Sequence, residues 1–336
     1  MSALAKTHLE PALSVSNLTT VFQTAAGAVT AVDSVSFDVM PGQVLGLVGE
    51  SGSGKSVTLR SLMRLVHAPG KVSGRVLWQG RDLLSLSPGA LRKVRGGEIA
   101  MIFQEPTTAL NPVLPVRIQI EENLRAHTAL NGRERRARAI ELLELVGIPA
   151  AERRLDDYPH QFSGGMKQRV MIAIALASDP KLLLADEPTT ALDVTIQDQI
   201  LKLILDLRDE FAMSVVFVTH DLGVVAGTCD RMAVMYAGRI VETGSVRQVF
   251  AEPHHPYTRG LLGSVPRGGA ERTMLTSIDG TPPSLSAIPP GCAFNPRCDF
   301  ATERCRAERP ALEPFAAGRT VACFHHARVA ATGAPA

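Results

Sequence analysis

Gly49-Glu50-Ser51-Gly52-Ser53-Gly54-Lys55-Ser56 fits the pattern GxxxxGKS. It follows the apolar run Val44 to Val48 and precedes Val57 to Leu65, a helix-compatible stretch; strand, loop and helix in that order are the context the pattern needs. Closely spaced glycines tolerate positive φ, so several backbone N–H groups can turn toward one anion. A helix starting at Gly54 would aim its partially positive N-terminus at the same point. In such a loop the lysine reaches the β- and γ-phosphates of ATP and the next hydroxyl ligates Mg²⁺, tasks that fall to Lys55 and Ser56. Gly49, Ser51, Gly52, Ser53, Gly54 and Val57 complete the set expected to touch nucleotide.

Outward from the loop, Leu13 to Val21, Val29 to Val39, Ile99 to Phe103, Lys181 to Ala185, Ser214 to Val218 and Met232 to Tyr236 read as further strands, several of them continuous apolar runs. Helical stretches lie between the later ones, and that alternation predicts a largely parallel sheet between helices. From Gln104 to Ala177 the pattern is helical; Ala137, Ile140, Leu143 and Leu145 recur at helix spacing amid dense charge. After Phe250 it loosens into Pro- and Gly-rich segments such as Pro282-Pro283 and Pro289-Pro290-Gly291. These predict a boundary near residue 250 and an appended region with little regular structure.

The 336 residues leave room for a main domain and a smaller appendage, and 45% hydrophobic with 20% charged residues is a globular composition. Lys plus Arg number 35 against 33 for Asp plus Glu, so no basic field suggests nucleic acid or an anionic membrane as partner. No apolar run is long enough for a membrane helix and the N-terminus lacks a signal pattern. A peripheral protein, attached to a membrane only through other subunits, is the expectation.

Leu182-Leu183-Leu184-Ala185 ends in Asp186 and Glu187, at the carboxyl edge of a strand where α/β sheets bind ligands. Two acids after an apolar strand read, by themselves, as a solvated turn. Beside a phosphate loop they gain roles: Asp186 holding Mg²⁺ and Glu187 polarising the water that attacks the γ-phosphate. Ser163-Gly164-Gly165-Met166-Lys167-Gln168-Arg169 opens a helical stretch and offers a second glycine-rich N-terminus suited to an anion.

That run resembles the signature of ABC ATPases. The order phosphate loop, Gln104, signature, Asp186-Glu187, Ala191-Leu192-Asp193 and His220 is similar to that family over about residues 12 to 250. The resemblance implies a P-loop NTPase (RecA-like) α/β nucleotide-binding domain over 1–250, with an antiparallel β subdomain and a helical subdomain at about 105–177. It implies that Gln104 senses Mg²⁺, water and the transmembrane partner, that Asp193 lies at a dimer interface and that His220 contacts the γ-phosphate. It further implies a head-to-tail dimer in which Ser163, Gly164 and Gly165 of one subunit close over ATP held by the other. An aromatic residue ahead of the phosphate loop stacks on adenine in this family, and Phe22 is the candidate. Phe162 stands where the commonest signature has Leu, and Met166 where it has Gln.

Gln104 to Pro112 and Glu252-Pro253-His254-His255-Pro256-Tyr257-Thr258 look like the dipeptide and oligopeptide importer branch in particular. That likeness implies peptide uptake with a second, related ATPase, two transmembrane permease subunits, an extracytoplasmic substrate-binding protein and a place on the cytoplasmic side of the membrane. Nickel, glutathione or another small solute are the alternative cargoes. A soluble ABC ATPase acting on nucleic acid or ribosomes is the alternative class, and the near-neutral charge with no basic, aromatic-rich stretch argues against it.

Cys292, Cys298, Cys305 and Cys323 crowd the tail at intervals of five, six and seventeen residues, looser than the CxxC pairs of zinc sites. Four thiolates suit a [4Fe-4S] cluster or Zn²⁺. The family resemblance favours the cluster, while His325 and His326 keep zinc open. The fifth cysteine, Cys229, stands alone in apolar surroundings and reads as a small core residue.

Overall fold

The structure is a computed structural model that describes residues 10–25, 27–190, 192–264 and 278–333. Ala191, one residue of the sequence motif above, lies outside the described residues. Val44–Val48, Leu182–Asp186 and Ser214–Thr219 are buried throughout, and strands covered on both faces need no polar alternation. They belong to an eight-stranded sheet ordered Glu313–Ala316, Arg319–Val321, Arg239–Ser245, Arg231–Tyr236, Val44–Val48, Ser214–Thr219, Leu182–Asp186, Ile99–Ile102. Pairing is parallel from Arg231–Tyr236 to Ile99–Ile102 and antiparallel across the rest. Val44–Val48 thus lies between two strands that come later in the chain, and the loop leaving its carboxyl end opens into the crevice used for ligands.

A second, antiparallel sheet orders Gly27–Val39, Leu13–Thr24, Gly70–Trp78 and Arg81–Asp82. Its inner face, including Leu13, Val35, Val76 and Trp78, packs with Leu45, Leu47, Leu59, Leu184 and Val216 of the larger sheet and the first helix. The buried Trp78 indole donates to Glu98 at 2.8 Å, so its polar atom is satisfied.

The helical expectation is met by Val116–His127, Gly132–Leu145 and Gly164–Leu176. Ile120, Leu124, Leu142, Leu143 and Ile172 from these helices share one apolar cluster with Ile102, Leu183, Val215 and Phe217 of the sheet. Gly132–Leu145 starts where Asn131 accepts from Glu134 N–H and Glu134 accepts from Asn131 N–H, a reciprocal cap that satisfies two free donors.

The tail corrects the expectation of little regular structure after Phe250. Pro256–Gly263 is helical, and the hairpin Glu313–Ala316 with Arg319–Val321 extends the main sheet through Thr243 opposite Thr320. Strands this short carry no readable period. Their anchor is polar: buried Arg319 lies 3.4 Å from the wholly buried Glu242, whose carboxylate also accepts from the N–H groups of His254 and His255 at 2.9 Å each. Tyr257, Leu262 and Phe294 join Val48, Val234 and Tyr236 in a third cluster, so tail and sheet share a core.

Candidate nucleotide-binding site

The helix after Val44–Val48 spans Lys55–Leu62, with Gly54 at its N-cap, one residue later than expected. Gly54 adopts φ +102 and an added Cβ would sit 2.4 Å from the Ala31 carbonyl oxygen; at Gly49 it would sit 2.2 Å from that of Met235. Backbone approaches this close leave no space for a side chain. Gly52, at φ +77, has open space where a Cβ would point. Lys55 is folded back on the loop and donates to the carbonyls of Gly49 at 2.7 Å and Glu50 at 2.9 Å. Burial lowers its pKa, opposed by the carboxylates of Glu187, Asp186 and Glu50.

Asp186 ends its strand within reach of the loop, and Ser56 donates to Asp186 Oδ1 at 2.7 Å. Asp186 is wholly buried and its Oδ2 has no partner. Burial raises its pKa, with the Ser56 hydrogen bond, Arg60 and Lys55 pulling the other way. A buried carboxylate oxygen without a donor is costly, and a cation beside Ser56 would remove that cost, so the donor set fits Mg²⁺.

Glu187 follows with φ +45, its N–H donating to Val218 at 3.0 Å. Three side chains converge on its Oε2: Thr190 Oγ1 donates at 2.8 Å, Gln104 Nε2 donates at 3.3 Å, and His220 Nδ1 lies at 3.3 Å. The chain thus brings Lys55, Ser56, Gln104, Asp186, Glu187 and His220 to one place. Thr190 was missed by the motif reading; a hydroxyl three residues after the acid, in the turn that leaves the strand, was the available signal.

Ser163 caps Gly164–Leu176, its hydroxyl accepting from Met166 N–H at 3.4 Å. Among the described residues, no hydrogen bond ties it to Lys55 or Ser56. Its neighbours are the segment around Asp193: a Cβ on Gly165 would meet Ile196 at 2.8 Å, and Gly164 faces Leu192 at 4.0 Å. Asp193 caps the helix Val194–Phe211 by accepting from Ile196 N–H at 3.0 Å. Phe22 pairs with Val29 and Gly70 in the antiparallel sheet, half-buried, with its ring edge over Gly70.

Cys292, Cys298, Cys305 and Cys323 line a single small cavity together with His255, Phe294 and His325. Burial raises the thiols of Cys292, of Cys298 to about 11 and of Cys323 to about 12. Among the described residues no three His, Cys, Asp or Glu side chains are placed to hold a metal ion. The His325 ring meets Thr302 at 3.0 Å and His326 meets His254 at 3.4 Å. Cys229 packs against Gly46 beside both flanking cores, as a small core residue does, and burial raises its thiol to about 11.

Residues 32–190 match the ABC transporter family, and residues 241–305 match the family described as "Oligopeptide/dipeptide transporter, C-terminal region". A Brucella abortus protein named for peptide import ATP binding is 54% identical over 93% of this chain and 94% of its own length. The oligopeptide transport ATP-binding protein OppD of Escherichia coli is 48% identical over 96% of this chain and 95% of that protein. Among solved structures, the ATP-binding cassette MJ0796, dimeric and bound to ADP and Pi, superposes with TM-score 0.63 at 32% identity over 70% of this chain and 99% of that one. No helix among the described residues is long and apolar enough to cross a membrane. The chain belongs to the ATP-binding subunits of ABC transporters, in the branch that carries the oligopeptide and dipeptide transporter C-terminal region.

Proposed function

We propose that the chain energises uptake of di- and oligopeptides, seated on the cytoplasmic face of two permease subunits and paired with a second, related ATPase. A substrate-binding protein on the far side would deliver the cargo. The relatives named for peptide import and the matching C-terminal region support the cargo class. The observation that carries the ATP chemistry is the Ser56–Asp186 contact with Asp186 Oδ2 unpartnered, directly before a Glu187 carboxylate held by Thr190 and Gln104.

In this reading Gly49, Ser51, Gly52, Ser53, Gly54, Lys55, Ser56 and Val57 cradle the phosphates while Phe22 stacks on adenine. Ser56, Asp186 and Gln104 hold Mg²⁺, which neutralises charge on the phosphates when bound. Glu187 accepts a hydrogen bond from the attacking water, orienting its oxygen toward the γ-phosphate, and His220 contacts that phosphate. Ser163, Gly164, Gly165 and Asp193 serve the partner's nucleotide. ATP binding would close the dimer and hydrolysis reopen it, moving the permeases between two states. Residues 1–250 form the nucleotide-binding unit and 251–336 the branch-specific extension.

Cys292, Cys298, Cys305 and Cys323 would hold a [4Fe-4S] cluster of structural role. Four thiols lining one cavity, at spacings looser than the CxxC pairs of zinc sites, are the support for that reading. The function is tested in proteoliposomes holding the whole transporter. ATP-dependent uptake of labelled peptides, stimulated by the substrate-binding protein, is expected; transport of nickel or glutathione with none of peptide would overturn the cargo.

A further inference from the structure

Glu50, the second residue of the phosphate loop, is gripped from the tail. Its N–H donates to Tyr257 Oη at 2.8 Å. Its carboxylate accepts from Arg297 Nη1 at 2.9 Å and from Nη2 at 3.1 Å, the paired geometry that makes guanidinium–carboxylate contacts strong. Arg297 ends the turn Asn295–Arg297, between Cys292 and Cys298. Its side chain is 5% exposed; Nε donates to the Asp279 carbonyl at 2.9 Å, and the rings of Tyr236 and Phe294 lie 5.9 and 5.8 Å from the guanidinium carbon. The arginine is therefore fixed before it meets Glu50.

Glu50 is poorly suited to an anion site. Its carbonyl holds Lys55 Nζ at 2.9 Å, and its carboxylate is one of three acting on that ammonium. Unpaired, the carboxylate would compete with a triphosphate for Lys55 and repel it. We propose that Arg297 is a positioning residue of the nucleotide site: by neutralising Glu50 and drawing it toward the tail, it leaves Lys55 available to phosphate and makes the cysteine-rich segment part of the phosphate loop's support. This rests on the loop being the ATP site.

A clamp that merely keeps the fold and a clamp that removes a charge make different predictions. The probe is a fluorescent ATP analogue in equilibrium binding to the full-length chain, unsubstituted and as R297M, R297K and R297M/E50Q. R297M should weaken binding about tenfold, the scale of a lost charged hydrogen-bond pair. R297K should keep part of the affinity, and adding E50Q to R297M should restore it to within about twofold. A double variant as weak as R297M, whether from misfolding or from loss of the clamp, overturns the charge role; so does an R297M that binds as the unsubstituted chain does. Failure of the unsubstituted chain to bind would instead remove the ATP reading itself.

Discussion

Ser56 reaches Asp186 at 2.7 Å, although the strand Ser214–Thr219 separates Val44–Val48 from Leu182–Asp186 in the sheet. The contact fixes the spacing between the phosphate loop and the acidic strand end, and it leaves Asp186 Oδ2 buried and unpartnered. Burial raises the folded-state pKa of Asp186, so the folded chain holds that proton more tightly than the unfolded one. Without Mg²⁺ the group favours the fold below its unfolded pKa, and this contribution is lost as pH rises through the folded pKa. Asp186→Asn should therefore raise the Mg²⁺-free thermal midpoint at pH 7 by a few degrees, on the order of 1 kcal/mol, while weakening Mg²⁺-dependent ATP binding about 10–100-fold. Thermal unfolding with and without Mg²⁺ reads both; a variant less stable without Mg²⁺ would show that the carboxylate is not strained.

Glu187 carries a different burden. Its Oε2 is held by Thr190 and Gln104, with His220 alongside, an arrangement that orients a carboxylate without neutralising it. Glu187→Gln keeps shape and hydrogen bonds to the donors but loses basicity. ATP binding should persist while phosphate release falls about 10²–10³-fold, within the usual range for a positioned base, and a closed dimer should accumulate on gel filtration with ATP. Hydrolysis at the unsubstituted rate would take the role away from Glu187.

The same site shows how far the sequence could be read. The loop was legible because its chemistry is local: eight consecutive residues between a strand and a helix. Buried parallel strands were legible because burial on both faces demands unbroken apolar runs. Arg297 and Tyr257 were not, because their roles exist only once distant segments meet; Arg297 lies 247 positions from Glu50. Thr190, three residues after Glu187, carried a local signal that the motif reading passed over. The tail hairpin was hidden for another reason: Glu313–Ala316 and Arg319–Val321 are too short for a period, and what seats them is a buried Arg319–Glu242 pair that composition reads as surface charge.

Gly52 and Gly54 share positive φ and differ in surroundings, so paired alanine substitutions separate backbone strain from collision. Gly52→Ala meets open space and should cost about 1–2 kcal/mol, the left-handed penalty alone. Gly54→Ala adds a Cβ 2.4 Å from the Ala31 carbonyl and should cost more and abolish ATP binding, because relief requires the helix N-terminus to shift. Urea unfolding followed by nucleotide binding compares the two; equal costs would show that the loop yields at Ala31.

The cysteine cavity makes a claim about stoichiometry. Thiols held at about 11 at Cys298 and about 12 at Cys323 remain protonated at neutral pH when nothing is bound. Loading must then release protons and grow more favourable as pH rises. Anaerobically purified chain should carry about four irons and matching sulfide, with broad visible absorption that bleaches on reduction. Cys298→Ser or Cys323→Ser should lose most of that iron, because each removes one of only four thiols lining the cavity, whereas Cys229→Ser, away from it, should retain it. One zinc per chain, or iron unaffected by either tail substitution, would remove the cluster from these residues.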